Sequence, residues 1–177
     1  MADVFSKRKR SEVMSRIRGR GNKDTELALA KLLRAHGISG WRRHAEIRGG
    51  AVASVYDRRK SSGAHRAPLQ RPTFRVKPDF VFRRVRLALF VDGCFWHGCP
   101  KHATKPKNNS AFWQRKLSSN KKRDALVART LRRAGWRVLR VWEHELQKRE
   151  VRNAERGTPF VVRRIQRALG FHINISK

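Results

Sequence analysis

Apolar positions recur either at helical spacing or in short strand-like runs, and they divide the chain into elements before any side-chain chemistry is considered. Asn22-Lys23-Asp24-Thr25-Glu26 opens a helix in which Leu29, Leu32 and Leu33 share a face, and Gly37 after His36 supplies the stop. Glu26 falls in its first turn, where an acid ordinarily complements the helix dipole from the surface. Trp41 to Ile47 reads as a short strand. Asp79-Phe80-Val81-Phe82 and Leu87-Ala88-Leu89-Phe90-Val91 read as two more, joined by the basic turn Arg83-Arg84-Val85-Arg86 and therefore antiparallel. Pro78 cannot donate to a ladder, so it suits the start of a strand and places Asp79 near an open sheet end. Phe112-Trp113 begins a helical region that runs, with a break, to Ala134; Leu126, Thr130, Leu131 and Ala134 keep one face apolar and Gly135 ends it. Trp136 to Trp142 is a buried strand, and the order strand, helix, strand predicts a right-handed crossover in an α/β fold. Thr158 caps and Pro159 starts a last helix lined by Val161, Ile165 and Leu169.

Three stretches carry no sustained period. Residues 1–22 form a basic arm, with one short helix from Glu12 to Arg18 capped by Ser11. Residues 49–75 form a long basic loop rich in Gly, Pro, Ser and Arg. Such length without structure is uncommon in a compact domain unless the loop is disordered or used on a ligand. Ala103 to Ser110 is a shorter loop. The expected organisation is the arm, a main domain over 23–150 with 49–75 inserted in it, and a C-terminal helix and tail over 151–177.

Charge changes the picture most. With 44 Lys and Arg against 13 Asp and Glu, the 177-residue chain has a formal net charge of +31, which favours a polyanionic partner, nucleic acid first. No apolar run approaches the ~20 residues of a spanning helix, and the basic start is not followed by the apolar stretch of a secretory signal. A cytoplasmic, nucleoid-associated protein without membrane contact is expected.

The chemistry concentrates in Val91-Asp92-Gly93-Cys94-Phe95-Trp96-His97-Gly98-Cys99-Pro100-Lys101-His102, which holds both cysteines of the chain. Cys94, Cys99 and His102 offer three zinc ligands in one turn, with His144 as candidate for the fourth. A disulfide and a lone polar His144 are the plainer alternatives. Asp79 and Asp92, at adjacent strand ends, form a carboxylate pair able to hold Mg2+ with phosphate oxygens completing its shell. His97, with an ordinary pKa near neutrality, suits a general base. Singly, Asp79 reads as a strand-end acid, Asp92 as an Asp-Gly turn former and His97 as a packed polar residue. Phe95-Trp96 and Phe112-Trp113 are core residues by composition, yet in a basic surface such rings can wedge between base steps.

Pro78-Asp79-Phe80, the central stretch, Phe112-Trp113 and Gly135-Trp136-Arg137-Val138-Leu139-Arg140-Val141-Trp142-Glu143, together with Met14 to Arg18 and Thr25-Glu26, resemble the very-short-patch repair (Vsr) endonuclease family. The resemblance covers roughly residues 11 to 146. It implies a restriction-endonuclease-like nuclease domain, with a central mixed β-sheet flanked by helices and a structural zinc site. The implied activity is Mg2+-dependent nicking of one strand beside a T:G mismatch left by deamination of 5-methylcytosine. Carried over residue by residue, it makes Asp79 the principal Mg2+ ligand, His97 the general base and Glu26 an active-site residue that organises metal waters. Cys94, Cys99, His102 and His144 become the zinc ligands, and Phe95, Trp96 and Trp113 the wedge beside the mismatch. The implied partners are mismatched double-stranded DNA and other mismatch-repair proteins; a monomer suffices for one nick. The chain departs from the family pattern at three places. Asp92 stands where some members carry a second catalytic histidine, leaving metal ligand, proton acceptor or neither as its role; His144 stands where cysteine is common; and the 49–75 loop is longer. A related nuclease of relaxed or different specificity, in restriction or defence, and a non-catalytic zinc-stabilised DNA-binding protein are the competing readings.

Overall fold

The structure, a computed structural model, describes residues 23–49, 74–102, 104, 106, 109–147 and 158–170, with Arg8 and Glu12. The arm helix expected over Glu12 to Arg18, the interior of the 49–75 loop and the tail after Gly170 lie outside the described residues, Glu12 itself excepted.

A π-helical turn, Lys23–Leu27, runs directly into helix α1 (Ala28–Ala35). Leu29, Leu32 and Leu33 are buried along α1, and Gly37 at φ 65° ends it as the pattern predicts. Next come strands β1 (Arg42–Arg43), β2 (Ile47–Gly49), β3 (Phe74–Val76), β4 (Phe80–Phe82) and β5 (Leu87–Asp92). Helix α2 (Ser110–Arg133), strand β6 (Arg137–Trp142), a short 3-10 turn (Glu143–Leu146) and helix α3 (Phe160–Leu169) complete the order. The central sheet is mixed, in the order β1-β4-β5-β6: the first two pairings are antiparallel, and β5 with β6 is parallel.

Alternation along β5 and β6 explains how the sheet is covered. Leu87, Leu89 and Val141 face a core shared with α1 and α3, where Leu29, Leu33, Val161, Val162 and Ile165 are buried. Ala88, with Phe90 and Val138 beside it, faces the other way, onto Leu131 of α2. The C-terminal helix thus belongs to the main core. Arg164 reinforces that docking with an ion pair to Glu145 and a hydrogen bond to the carbonyl of Arg140 at 2.9 Å.

The structure corrects the pattern in five places. The strand expected over Trp41 to Ile47 is two strands in different sheets, because His44 at φ 50° turns the chain between them. The 49–75 loop is closed at its base, where β2 and β3 pair Ile47 with Val76 and Gly49 with Phe74. Any side chain at Gly49 would collide with the Phe74 ring, so this closure requires glycine there. The α2 region has no break: it is one helix of 24 residues, begun at Ser110, and the buried Asn120 amide in its polar middle donates to the Trp96 carbonyl at 2.9 Å. Leu126 is 60% exposed, and Ala128 and Leu131 are the apolar residues that α2 buries. Finally, α3 begins at Phe160 after Pro159, with no side-chain cap from Thr158.

Candidate active site and metal centre

The β4–β5 pairing sets the first group. Asp79, immediately before β4, accepts the Val91 N–H through Oδ2 at 2.7 Å, which fixes the carboxylate against β5. Its backbone carbonyl accepts from the His44 N–H at 3.1 Å. Glu26 is no surface acid: it is 6% exposed, and its Oε2 lies 2.8 Å from both the Arg43 guanidinium and His44 Nε2. Glu26, His44 and Asp79 each offer a ligand atom, and these atoms lie within 4.8 Å of one another. Burial raises the Asp79 pKa from an ordinary 3.8 to about 6; the Val91 N–H and His44 work against that rise, while Glu26 and Asp92 add to it. A buried and a half-buried carboxylate whose charges oppose each other form a donor set that a hard cation would relieve.

Asp92, expected beside Asp79 as a second cation ligand, lies outside that group. It is 2% exposed, and both its oxygens are clamped by the Arg140 guanidinium. The pleat places Arg140 and Asp92 on the same face of the parallel β5–β6 pair, toward α2. There Arg140 also reaches Asp124 of α2 at 3.3 Å, and Asp124 Oδ2 lies 2.6 Å from His97 Nδ1. Burial lowers the proton affinity of Arg140, but Asp92 and Asp124 together outweigh it and raise the pKa. With Nδ1 donating to Asp124, His97 presents Nε2 as its acceptor. His97 Nδ1 is also 3.8 Å from Asp92, so two acids and one arginine frame the imidazole.

The loop after β5 is a set of tight turns. Cys99 N–H returns to the Cys94 carbonyl at 2.9 Å, and Gly98 takes the left-handed conformation, φ 63°, between His97 and Cys99. Glu143 accepts the Cys94 N–H at 3.0 Å and ties the loop to the end of β6. This brings Cys94, Cys99, His102 and His144 together, with ligand atoms within 4.8 Å of one another. Cys94 Sγ to His144 Nδ1 is 3.2 Å, Cys99 Sγ to His144 Nδ1 3.6 Å, and Cys99 Sγ to His102 Nδ1 3.9 Å. Tetrahedral zinc with bonds of about 2.3 Å to sulfur and 2.0 Å to nitrogen sets such pairs near 3.5 Å, so the donor set fits that ion. Both thiols are free, and burial pushes Cys94 up to about 11. A bound metal would reverse that, since it takes the thiolate.

The aromatic residues converge beside this loop. Phe95 and Trp96 pack edge-on at 5.1 Å between centroids, Trp113 meets them at 5.2 and 5.8 Å, and Phe112, 53% exposed, extends the group at 5.4 Å from Trp113.

Residue patterns point to Asp79, Asp92, His97, the four Cys and His residues and the aromatic pairs, whereas Glu26 enters only through the family resemblance. They missed His44, Arg43, Asn120, Asp124 and Arg140. Asp124 carried one usable signal, as the only acid within the long basic helix. The others depend on strand register and on a turn that no local pattern announced.

The family model described as DNA mismatch endonuclease Vsr matches residues 61–105. The chain is 33% identical over 153 residues to the DNA mismatch endonuclease Vsr of Escherichia coli (strain K12), covering 85% of this chain and 79% of that one. It is 33% identical over 156 residues to the type II nicking enzyme V.NmeDIP of Neisseria meningitidis serogroup C, covering 87% and 86%. Identity rises to 55% with the type II nicking enzyme V.NaeI of Lentzea aerocolonigenes, over 71 residues that span 40% of this chain and 43% of that enzyme.

Proposed function

We propose that this chain, which belongs to the Vsr DNA mismatch endonuclease family and is a DNA endonuclease, nicks one strand of duplex DNA beside a T:G mismatch left by 5-methylcytosine deamination. The observation that carries this reading is convergence. A carboxylate group with one buried and one half-buried acid, an imidazole framed by acids and an exposed-edge aromatic cluster all meet near the end of β5.

Asp79 is the principal ligand of a catalytic Mg2+, and Glu26 orders the water around it. When bound, that cation polarises the scissile phosphate and stabilises the leaving oxygen. His97 takes the proton of the attacking water at Nε2, while Asp124 holds Nδ1 and so fixes the ring's tautomer and direction. Asp92 acts with Arg140 as a fixed wall behind that ring. Zn2+ on Cys94, Cys99, His102 and His144 is structural, because four protein ligands leave no position for water. Phe95, Trp96 and Trp113 stack into the mispaired step, where unstacking is easiest. The core is restriction-endonuclease-like, and the enzyme works as a monomer on DNA in the cytoplasm, at the nucleoid, with other mismatch-repair proteins acting on its nick. Among the described residues no helix is long and apolar enough to cross a membrane.

A nuclease of different or relaxed specificity, in restriction or defence, is the second reading. It is favoured by the type II nicking enzymes among the relatives and by the long basic insert. Membership in an endonuclease family sets aside a purely DNA-binding role. T:G, matched and single-stranded substrates compared with and without Mg2+ separate the two. Nicking confined to T:G supports repair, and cleavage of the matched duplex supports the other. Asp79→Ala and His97→Ala are expected to abolish nicking in a folded protein, and full activity in either would remove the assignment.

A further inference from the structure

We propose that His44 is a direct ligand of the catalytic cation beside Asp79, with Glu26 still ordering the cation's water, and that the nitrogen donor makes the site take Mn2+ in preference to Mg2+. The proposal builds on the cation site described above and adds a nitrogen donor to it.

Three observations converge on His44. Its Nε2 lies 2.8 Å from Glu26 Oε2, and its ligand atom falls within the 4.8 Å group that also holds Asp79. A cation about 2.1 Å from each ligand sets its donors about 3 to 4 Å apart, so the ligand atoms of His44 and Asp79, within 4.8 Å of each other, need only a small closure, while the 2.8 Å contact of His44 with Glu26 opens slightly. Second, the His44 backbone is tied to the other ligand, since its N–H donates to the Asp79 carbonyl at 3.1 Å; the two donors therefore move as one unit. Third, His44 sits at φ 50°, a left-handed conformation that a residue with a Cβ adopts at a cost. An extended His44 would simply continue β1. The strained turn instead aims the ring back at Glu26, and Arg43, approaching the same Glu26 oxygen at 2.8 Å, holds that carboxylate in place.

The donor set has a chemical consequence. Mg2+ binds chiefly through oxygen and keeps its water, whereas Mn2+ and the transition ions beyond it take imidazole nitrogen increasingly well. Bound to a cation, the ring uses the Nε2 lone pair, and its proton moves to Nδ1 by exchange with solvent.

The test is Mn2+ titrated into the full-length, zinc-loaded protein, followed by electron paramagnetic resonance, with pulsed measurement of 14N coupling to the bound ion. The expected result for the unmutated chain is one tight Mn2+ site showing nitrogen coupling, displaced only by a large excess of Mg2+. His44→Ala should weaken Mn2+ about ten- to a hundredfold and abolish the coupling. His44→Asn tolerates the left-handed backbone, so it guards against a folding failure, and it too should lose the coupling. If Asp79→Ala abolishes Mn2+ binding while both His44 variants bind like the parent, or if the parent shows no nitrogen coupling, His44 is not a ligand although the cation site stands. If Asp79→Ala itself binds Mn2+ normally, the cation site is elsewhere and the proposal falls with it.

Discussion

At Asp79 the needs of cation binding oppose those of the fold. Burial raises its pKa from 3.8 to about 6, so the folded protein holds this proton more tightly than the unfolded chain does. The linkage sign follows. The contribution is fully present below pH 3.8 and is lost as pH rises through about 6, on the order of 3 kcal/mol at about 1.4 kcal/mol per pKa unit. Without added cation, Asp79→Asn, which keeps an oxygen for the Val91 N–H, is therefore expected to melt higher than the parent at pH 8 and no higher at pH 4, while losing nicking. Equal melting temperatures at pH 8 would contradict this. Asp124→Asn tests a different residue in a different way: by misorienting His97 it should lower kcat on the order of a hundredfold with little change in KM. Some of this was legible one residue at a time. Cys94, Cys99, His102 and His97 lie within nine positions, so spacing alone brings them near one another. Asp92 and Arg140 are 48 positions apart, and only the register of two parallel strands makes them partners. Glu26 was ambiguous for a similar reason, since an acid in a first turn has the same local pattern whether solvent or His44 covers it.

Among the elements, the apolar periods found α1, β4, β5, β6 and α3 because each buries a face against the sheet. They failed where structure depends on distant polar contacts. One example is the unbroken α2, held to the central loop by Asn120; another is the β2–β3 closure, which needs the Gly49–Phe74 fit. The difference can be measured within the helices. Ile165 is fully buried, so Ile165→Ala should destabilise by about 2–5 kcal/mol in denaturant unfolding. Leu126, although it matched the apolar period of α2, is 60% exposed, and Leu126→Ala should stay within about 0.5 kcal/mol of the parent. The turn after β5 behaves as an element of its own, without regular structure and tied to its neighbours by single hydrogen bonds from Asn120 and to Glu143. Stripping zinc with a chelator should therefore lower the melting temperature and release Trp96 and His97 from their places. A metal-free protein that melted with its original midpoint would argue against a structural ion there.

For the whole molecule, the charge of +31 and the site's geometry have separate jobs. Arginines and lysines spread over the surface set how strongly any DNA is held, and that term fades with salt, at a slope of about −0.9 per phosphate contacted on a log–log plot. Affinity for matched and mismatched duplex should accordingly fall in parallel between low and physiological salt, leaving their ratio nearly constant, as filter binding across a salt series would show. Under the proposed function, discrimination belongs instead to the cluster of rings at the end of β5. In the free protein those rings pack against one another, and two of the chain's five tryptophans, Trp96 and Trp113, stand 5.8 Å apart in the cluster. Rings that leave each other to stack on bases change both their excited-state coupling and their quenching. The recognition step thus carries its own optical label, and rapid-mixing fluorescence could time wedge insertion apart from the cut, with no dye attached.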